Sequence, residues 1–214
     1  MFLYEQYRTI KNRDPAFRSA PELLFYASFW ALLFHKLAHG LYRMRLYVLA
    51  RLVSQCARFL TQIEIHPGAI IGARFFIDHG TGVVIGETAE IGDDVILYQG
   101  VTLGGTGKDK GKRHPTLGNH VLVGAGAKIL GGIEIGEGSR IGAGSVVLET
   151  VPPHSTVVGI PGKVVRMQGQ NQQTELSEQY IERLEQRFPD PIYREICDLR
   201  RRMETLEAQL QERE

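Results

Sequence analysis

Within the middle of this 214-residue chain two short strings put imidazole beside a charged group: Asp78-His79 and Arg113-His114. Imidazole next to a carboxylate is a general-base arrangement. The carboxylate fixes the tautomer and stabilises the imidazolium that forms when a hydroxyl proton is taken. Glu64 precedes His79 by about one turn of the repeat described below, and stacking of turns could bring it within reach of the imidazole. Arg113 can grip a carboxylate through two parallel hydrogen bonds. Lys108, Lys110 and Lys112 just before it could meet phosphates or form a solvated charged loop. His35 and His39 have the spacing of a metal pair on a helix but no acidic or cysteine partner nearby, and are read as helix-surface residues. His66, His120 and His154 are read as structural.

These residues are carried by a six-residue beat. Aliphatic side chains recur at Ile65, Ile71, Ile77 and Val83, at Ile85, Ile91, Leu97 and Leu103, and at Leu117, Val123, Ile129, Ile135, Ile141 and Val147, many of them followed by Gly. Neither helical nor alternating patterning produces that period; it is the signature of a parallel β-helix of hexapeptide repeats. Three hexapeptides make one triangular turn, so about five turns stack over residues 63–167. The register breaks twice, by a two-residue slip around 78–82 and by a long insertion at 105–116. Insertions in repeat proteins become loops on a binding face, and both breaks carry the charged residues named above.

The remaining chain divides around the coil. Residues 1–62 read as helical: Asp14-Pro15 and Pro21 as helix starts, then an amphipathic helix through Leu23, Leu24, Ala27, Trp30, Ala31, Phe34 and Leu37 stopping at Gly40, and another from about 41 to 59. Residues 168–214 begin as a polar linker and become a helix whose Ile192, Ile196, Leu199, Met203, Leu206 and Leu210 have coiled-coil spacing. A formal net charge of +1 gives no electrostatic case for nucleic acid or an anionic membrane. The apolar run at 23–34 is shorter than a bilayer span. Two distant cysteines, Cys56 and Cys197, make no disulfide framework, and the chain is expected to be cytoplasmic.

Several longer strings are more selective. They are Ile-Glu-Ile-His-Pro-Gly-Ala at 63–69, Ile-Asp-His-Gly-Thr-Gly-Val-Val-Ile-Gly-Glu-Thr at 77–88, Gly-Val-Thr-Leu-Gly-Gly-Thr-Gly-Lys at 100–108, Lys-Arg-His-Pro at 112–115, Gly-Ala-Lys-Ile-Leu-Gly at 126–131, Ile-Gly-Ala-Gly-Ser-Val-Val-Leu at 141–148 and Val-Gly-Ile-Pro-Gly at 158–162. Together with Arg13-Asp14-Pro15-Ala16 they closely resemble the serine O-acetyltransferase family, which opens cysteine biosynthesis from serine. The resemblance implies a left-handed coil, against the usual right-handed preference of β crossovers. It implies a homotrimer with sites between neighbouring coils, and acetyl-CoA as co-substrate with no metal required. His79 would be the base for direct transfer to the hydroxyl of L-serine. Asp14, Asp78, Arg113 and His114 would hold serine, with His114 near the reacting centre, and Glu64 would replace the aspartate that partners the base in longer forms. Gly105, Thr106, Lys108, Ala125 and Ala143 would bind the cofactor. L-cysteine would act as a feedback inhibitor in the serine pocket. A single trimer rather than a hexamer is expected because the helical segment is short, and a stable complex with cysteine synthase is not expected because the chain ends in Gln-Glu-Arg-Glu.

Other readings make different demands. A zinc carbonic anhydrase on the same coil would place three histidines from two subunits, drawn from His66, His79, His114 and His120, around a metal with an open position for water, but the Arg-His-Pro and Gly-Gly-Thr-Gly-Lys strings favour acetyl transfer. A scaffold has no use for charge at both register breaks. Sugar or antibiotic acceptors lack the ammonium and carboxylate that Asp14, Asp78 and Arg113 would address.

Overall fold

The computed structural model describes residues 2–107 and 110–167. Lys108 and the coiled-coil pattern of the tail lie outside them. The repeat forms a left-handed parallel β-helix with three flat faces. Its first face stacks Glu64–Ile65, Val84–Ile85, Thr102–Gly104, Lys128–Leu130 and Val146–Val147. The second starts at Ile70–Ile71 and the third at Phe76–Ile77. We number the corners in chain order: the first joins faces one and two, the second joins two and three, the third leads back to face one.

The pairing register reproduces the two breaks. Partners are eighteen residues apart in a regular turn, as Val84 with Thr102 and Lys128 with Val146. The spacing is twenty across the slip, as Glu64 with Val84, and twenty-six across the insertion, as Thr102 with Lys128. The coil keeps its shape through both because the beat resumes in phase. Ile65, Ile85, Leu103, Ile129 and Val147 point inward and are at most 5% exposed. Burying each such side chain is worth roughly 1.5–3 kcal/mol.

The helical segment packs on the first turns of the coil, with which it forms one compact unit. Here two sequence expectations fail. Asp14-Pro15 follows a helix instead of starting one: α1 spans Phe2–Arg13, and the Asp14 carboxylate accepts the Ala16 N–H at 2.7 Å to turn the chain. The same short side chain that caps a helix start also closes a turn. Gly40 does not stop α2, which runs Ala27–Arg43. The break comes at Arg45, in the left-handed region at φ 63°, before α3 at Tyr47–Thr61. Pro21 does sit in the first turn of a short 3-10 helix, Ala20–Phe25.

His35 is a third correction. It is not on the helix surface but buried against the coil, where burial pushes its imidazole down to about 4 and keeps it neutral. His39 bonds the Pro67 carbonyl through Nδ1 at 2.8 Å. α3 turns its small residues Ala50, Ser54 and Ala57 inward and leaves Leu49, Leu52, Phe59 and Leu60 exposed.

At the second corner Arg74, Asp94, His120 and His154 all occupy left-handed backbone. Arg74 Nε donates to both Asp94 oxygens at 3.0 Å, and Arg13 from the end of α1 reaches the same carboxylate at 3.3 Å. Arg74 holds the Asp94 carboxyl below the usual range. A group with a depressed folded pKa stabilises above its unfolded pKa and loses that contribution as pH falls through the folded value. Asp94→Asn keeps a residue suited to left-handed backbone and removes the charge. Its Tm is expected to lie a few degrees below wild type at neutral pH. The gap should close as pH drops below the ordinary aspartate value of about 3.9, which thermal melts across that range would check.

Candidate active site

Among the described residues Glu64 lies on the first face and the other predicted site residues fall at two corners of the coil. At the third corner the two-residue slip puts His79 in left-handed backbone at φ 60°, which projects its ring outward with 74% of the side chain exposed. Holding a histidine there costs on the order of 1 kcal/mol, as it does at the other non-glycine corner residues of the coil. Asp78 Oδ1 lies 4.0 Å from His79 Nε2, an ion-pair distance and too long for a hydrogen bond. Segment 62–64 runs alongside: Gly82 N–H donates to the Gln62 carbonyl at 3.0 Å, and Glu64 pairs in register with Val84. The Glu64 carboxylate contacts Arg58 at 3.3 Å, a pair in which the arginine is largely exposed. Arg58, Phe59, Glu64, Thr81, Gly82 and Val84 border a cleft of about 720 Å³.

Asp14 belongs to this corner. Its Oδ2 accepts the Tyr26 hydroxyl at 2.5 Å, and the other oxygen is used by Ala16. Burial, then Asp14, then the charges of Glu22 and last Asp78 push the Tyr26 hydroxyl pKa up. The Asp14–Tyr26 pair is thus within electrostatic reach of Asp78. Further down the same corner lie Ala125 and Ala143. The rungs there touch: a Cβ on Gly124 would stand 2.6 Å from the Ala143 nitrogen, so only glycine lets them stack.

The insertion emerges and returns at the first corner. Thr88 anchors its return. The Thr88 hydroxyl oxygen accepts the N–H groups of Arg113 at 3.0 Å and His114 at 3.1 Å, so its own proton points to His114 Nδ1 at 2.9 Å. Nδ1 also accepts the Thr88 backbone N–H at 3.1 Å. An imidazole nitrogen accepting two bonds carries no proton, so neutral His114 carries its hydrogen on Nε2. Burial and then Arg113 lower the His114 pKa, favouring that neutral form. The ring lies directly over Gly86, where a Cβ would come within 2.0 Å of Cδ2. Arg113 is paired with Glu87, and Lys112 Nζ donates to the Thr88 carbonyl at 2.7 Å and to Glu90 at 2.8 Å. Gly105 is half-buried where the loop leaves the coil, and Thr106 and Lys110 are exposed.

One chain thus brings His79, Asp78, Asp14, Ala125 and Ala143 to one corner and Arg113, His114, Gly105 and Thr106 to another. The first face separates them. Six extended residues along it span roughly 15–20 Å, too far for the two groups to touch one small molecule. The four histidines of the zinc reading are likewise divided among three corners: His66 and His114 on the first, His120 on the second, His79 on the third. Among the described residues no three potential ligands converge. Tyr26, Tyr42 and Thr88 escaped the sequence reading. Glu87-Thr88 does not stand out by type, since Glu149-Thr150 recurs at the same corner, and the two tyrosines act through contacts distant in sequence.

A coil of hexapeptides with a projecting imidazole and a cationic loop at its corners defines the hexapeptide-repeat transferase class, and the family described as bacterial transferase hexapeptide (six repeats) matches residues 114–149. The chain is 54% identical over 209 residues to the serine acetyltransferase of Bacillus pumilus, covering 97% of this chain and 93% of that one. The solved serine acetyltransferase of Brucella abortus in complex with coenzyme A superposes with a TM-score of 0.75 at 42% identity, covering 78% of this chain and 67% of the other. Soybean serine acetyltransferase complexed with serine gives 0.74 at 48%, covering 76% and 68%. The chain belongs to the serine acetyltransferase family, whose members are acetyl-CoA-dependent acyltransferases.

Proposed function

We propose that the chain transfers the acetyl group of acetyl-CoA to the hydroxyl of L-serine, giving O-acetyl-L-serine and CoA, in sites each shared by two subunits of a homotrimer. The observation that carries this reading is the division of the site between two corners. Each corner holds part of an amino-acid set and part of a cofactor set, so the third corner of one coil facing the first corner of its neighbour completes both. The exposed apolar face of α3 supports association, since Phe59 borders the same cleft as Glu64 and Val84 on the first face.

In the assembled site Asp14 and Asp78 receive the serine ammonium, with Tyr26 holding Asp14 in place, and Arg113 receives the carboxylate. His79 takes the hydroxyl proton as the oxygen attacks the thioester carbonyl. The tetrahedral intermediate expels the CoA thiolate, and the imidazolium returns its proton to the sulfur. The Nε2–H of neutral His114 is the donor for the developing oxyanion. Glu64 serves as the carboxylate partner of His79; its exposed pair with Arg58 is of the weak kind and is given up at little cost. Gly105, Thr106, Ala125 and Ala143 line the path of the pantetheine arm. L-cysteine carries the same ammonium and carboxylate as serine, so it competes for the same pocket as a feedback inhibitor. The reaction is cytoplasmic.

The test is thiol release from acetyl-CoA with L-serine, homoserine, a galactoside or no acceptor. Turnover with L-serine alone is expected, and activity with another hydroxyl instead would overturn the acceptor. In the same assay Arg113→Ala is expected to raise the serine KM by roughly tenfold to a hundredfold, the range for losing charge-assisted hydrogen bonds. An effect confined to the acetyl-CoA KM would move Arg113 to the cofactor.

A further inference from the structure

The guanidinium of Arg113 is held from behind. Its Nη2 donates to Glu87 Oε2, and Nη1 donates to the Gly111 carbonyl at 3.3 Å. The other Glu87 oxygen accepts the Tyr42 hydroxyl at 2.8 Å. Tyr42 sits in α2 and is wedged edge-on between the Tyr47 ring at 5.1 Å and the His66 ring at 5.9 Å. A chain of contacts therefore runs from the helical segment through the first corner to the insertion. The electrostatics agree: Arg113 first and Tyr42 second hold the Glu87 carboxyl below its usual range. Among the described residues two of the five N–H donors of the guanidinium are occupied in this way, which leaves three for another carboxylate.

We propose that Glu87 and Tyr42 are positioning residues for substrate binding, presetting the Arg113 guanidinium so that the amino-acid carboxylate meets it already oriented. This rests on the reading that Arg113 binds that carboxylate. A long arginine on an inserted loop otherwise loses rotamer freedom when it engages a ligand, and fixing it beforehand moves that cost into folding. Glu87 also tempers the charge of Arg113, which sits between Lys112 and the region where His114 must stay neutral. A contrary geometry is that Glu87 occupies the place of the substrate carboxylate, and it predicts the opposite sign.

Glu87→Gln and Tyr42→Phe separate these ideas. Glu87→Gln is expected to raise the serine KM by about fivefold, with kcat and the acetyl-CoA KM within about twofold, as for loss of a uniform binding contribution. Tyr42→Phe is expected to raise it by about twofold, and the double variant should be no worse than Glu87→Gln alone because Tyr42 acts through Glu87. In an Arg113→Ala background, Glu87→Gln should have no further effect on the serine KM. A serine KM that stays level or falls in Glu87→Gln, while Arg113→Ala raises it, overturns the proposal and leaves the carboxylate role of Arg113 intact. If Arg113→Ala leaves the serine KM unchanged, the parent reading fails and the positioning role fails with it.

Discussion

His79→Ala is expected to lower kcat by roughly a hundredfold or more, the usual loss for a positioned general base, while the folded state remains. The substitution tests chemistry only if the corner survives it, and the backbone makes that a real question. His79 sits at φ 60°, where an alanine carries the Cβ penalty without any compensating local bond. Asparagine tolerates left-handed backbone well, so His79→Asn should melt at or above the alanine variant while being equally slow. Two slow enzymes with ordered melting temperatures would locate the loss in the imidazole. Near-normal turnover in either would remove His79 from the reaction. The ring is largely exposed in the single chain, and few packing contacts go with it, so a large drop in stability is not expected in either variant.

Much of the fold was legible because the hexapeptide beat is a direct imprint of packing. The inward columns along the flat faces are the aliphatic series in the sequence, and both breaks in the series reappear as changes of pairing register. The helical segment was read less well for a physical reason. Asp14-Pro15 and Gly40 are local signals compatible with more than one outcome, and tertiary contact decided between them. Tyr26 captures Asp14 after the helix has ended, and α2 continues past Gly40 because its far end packs on α3. His35 was misplaced for the same reason, since helical spacing alone does not say which face meets the coil. In the site, the charged strings at the breaks were visible, but their supports were not. Tyr26, Tyr42, Glu87 and Thr88 act through contacts at sequence separations of twelve to forty-five residues, which no local pattern announces. Glu64 remains paired with Arg58 here, and its service to His79 belongs to the proposed assembled site.

That assembly leads to the second large effect. If each site takes its base from one subunit and its carboxylate grip from the next, chains with lesions at different corners should rescue one another. His79→Ala trimers lack the base in every site, and Arg113→Ala trimers, assayed with serine well below the variant's KM, lack the grip in every site. Co-expressed in equal amounts and mixing at random, they form interfaces in which an intact third corner meets an intact first corner in about one quarter of cases. Activity should therefore climb from about a tenth or less in either parent to about a quarter of wild type, far above the average of the two. A complementary mixture sharpens the result. Chains carrying both lesions, mixed equally with wild type, should also retain about one quarter of full activity if sites are shared, but about one half if each coil holds a complete site. The geometry already weighs against the second case, because a face of the coil stands between His79 and Arg113, and no rotamer of either side chain reaches across a separation of roughly 15–20 Å. Parents that fail to rescue each other, with the mixed double-lesion sample at one half, would return the whole reaction to a single subunit.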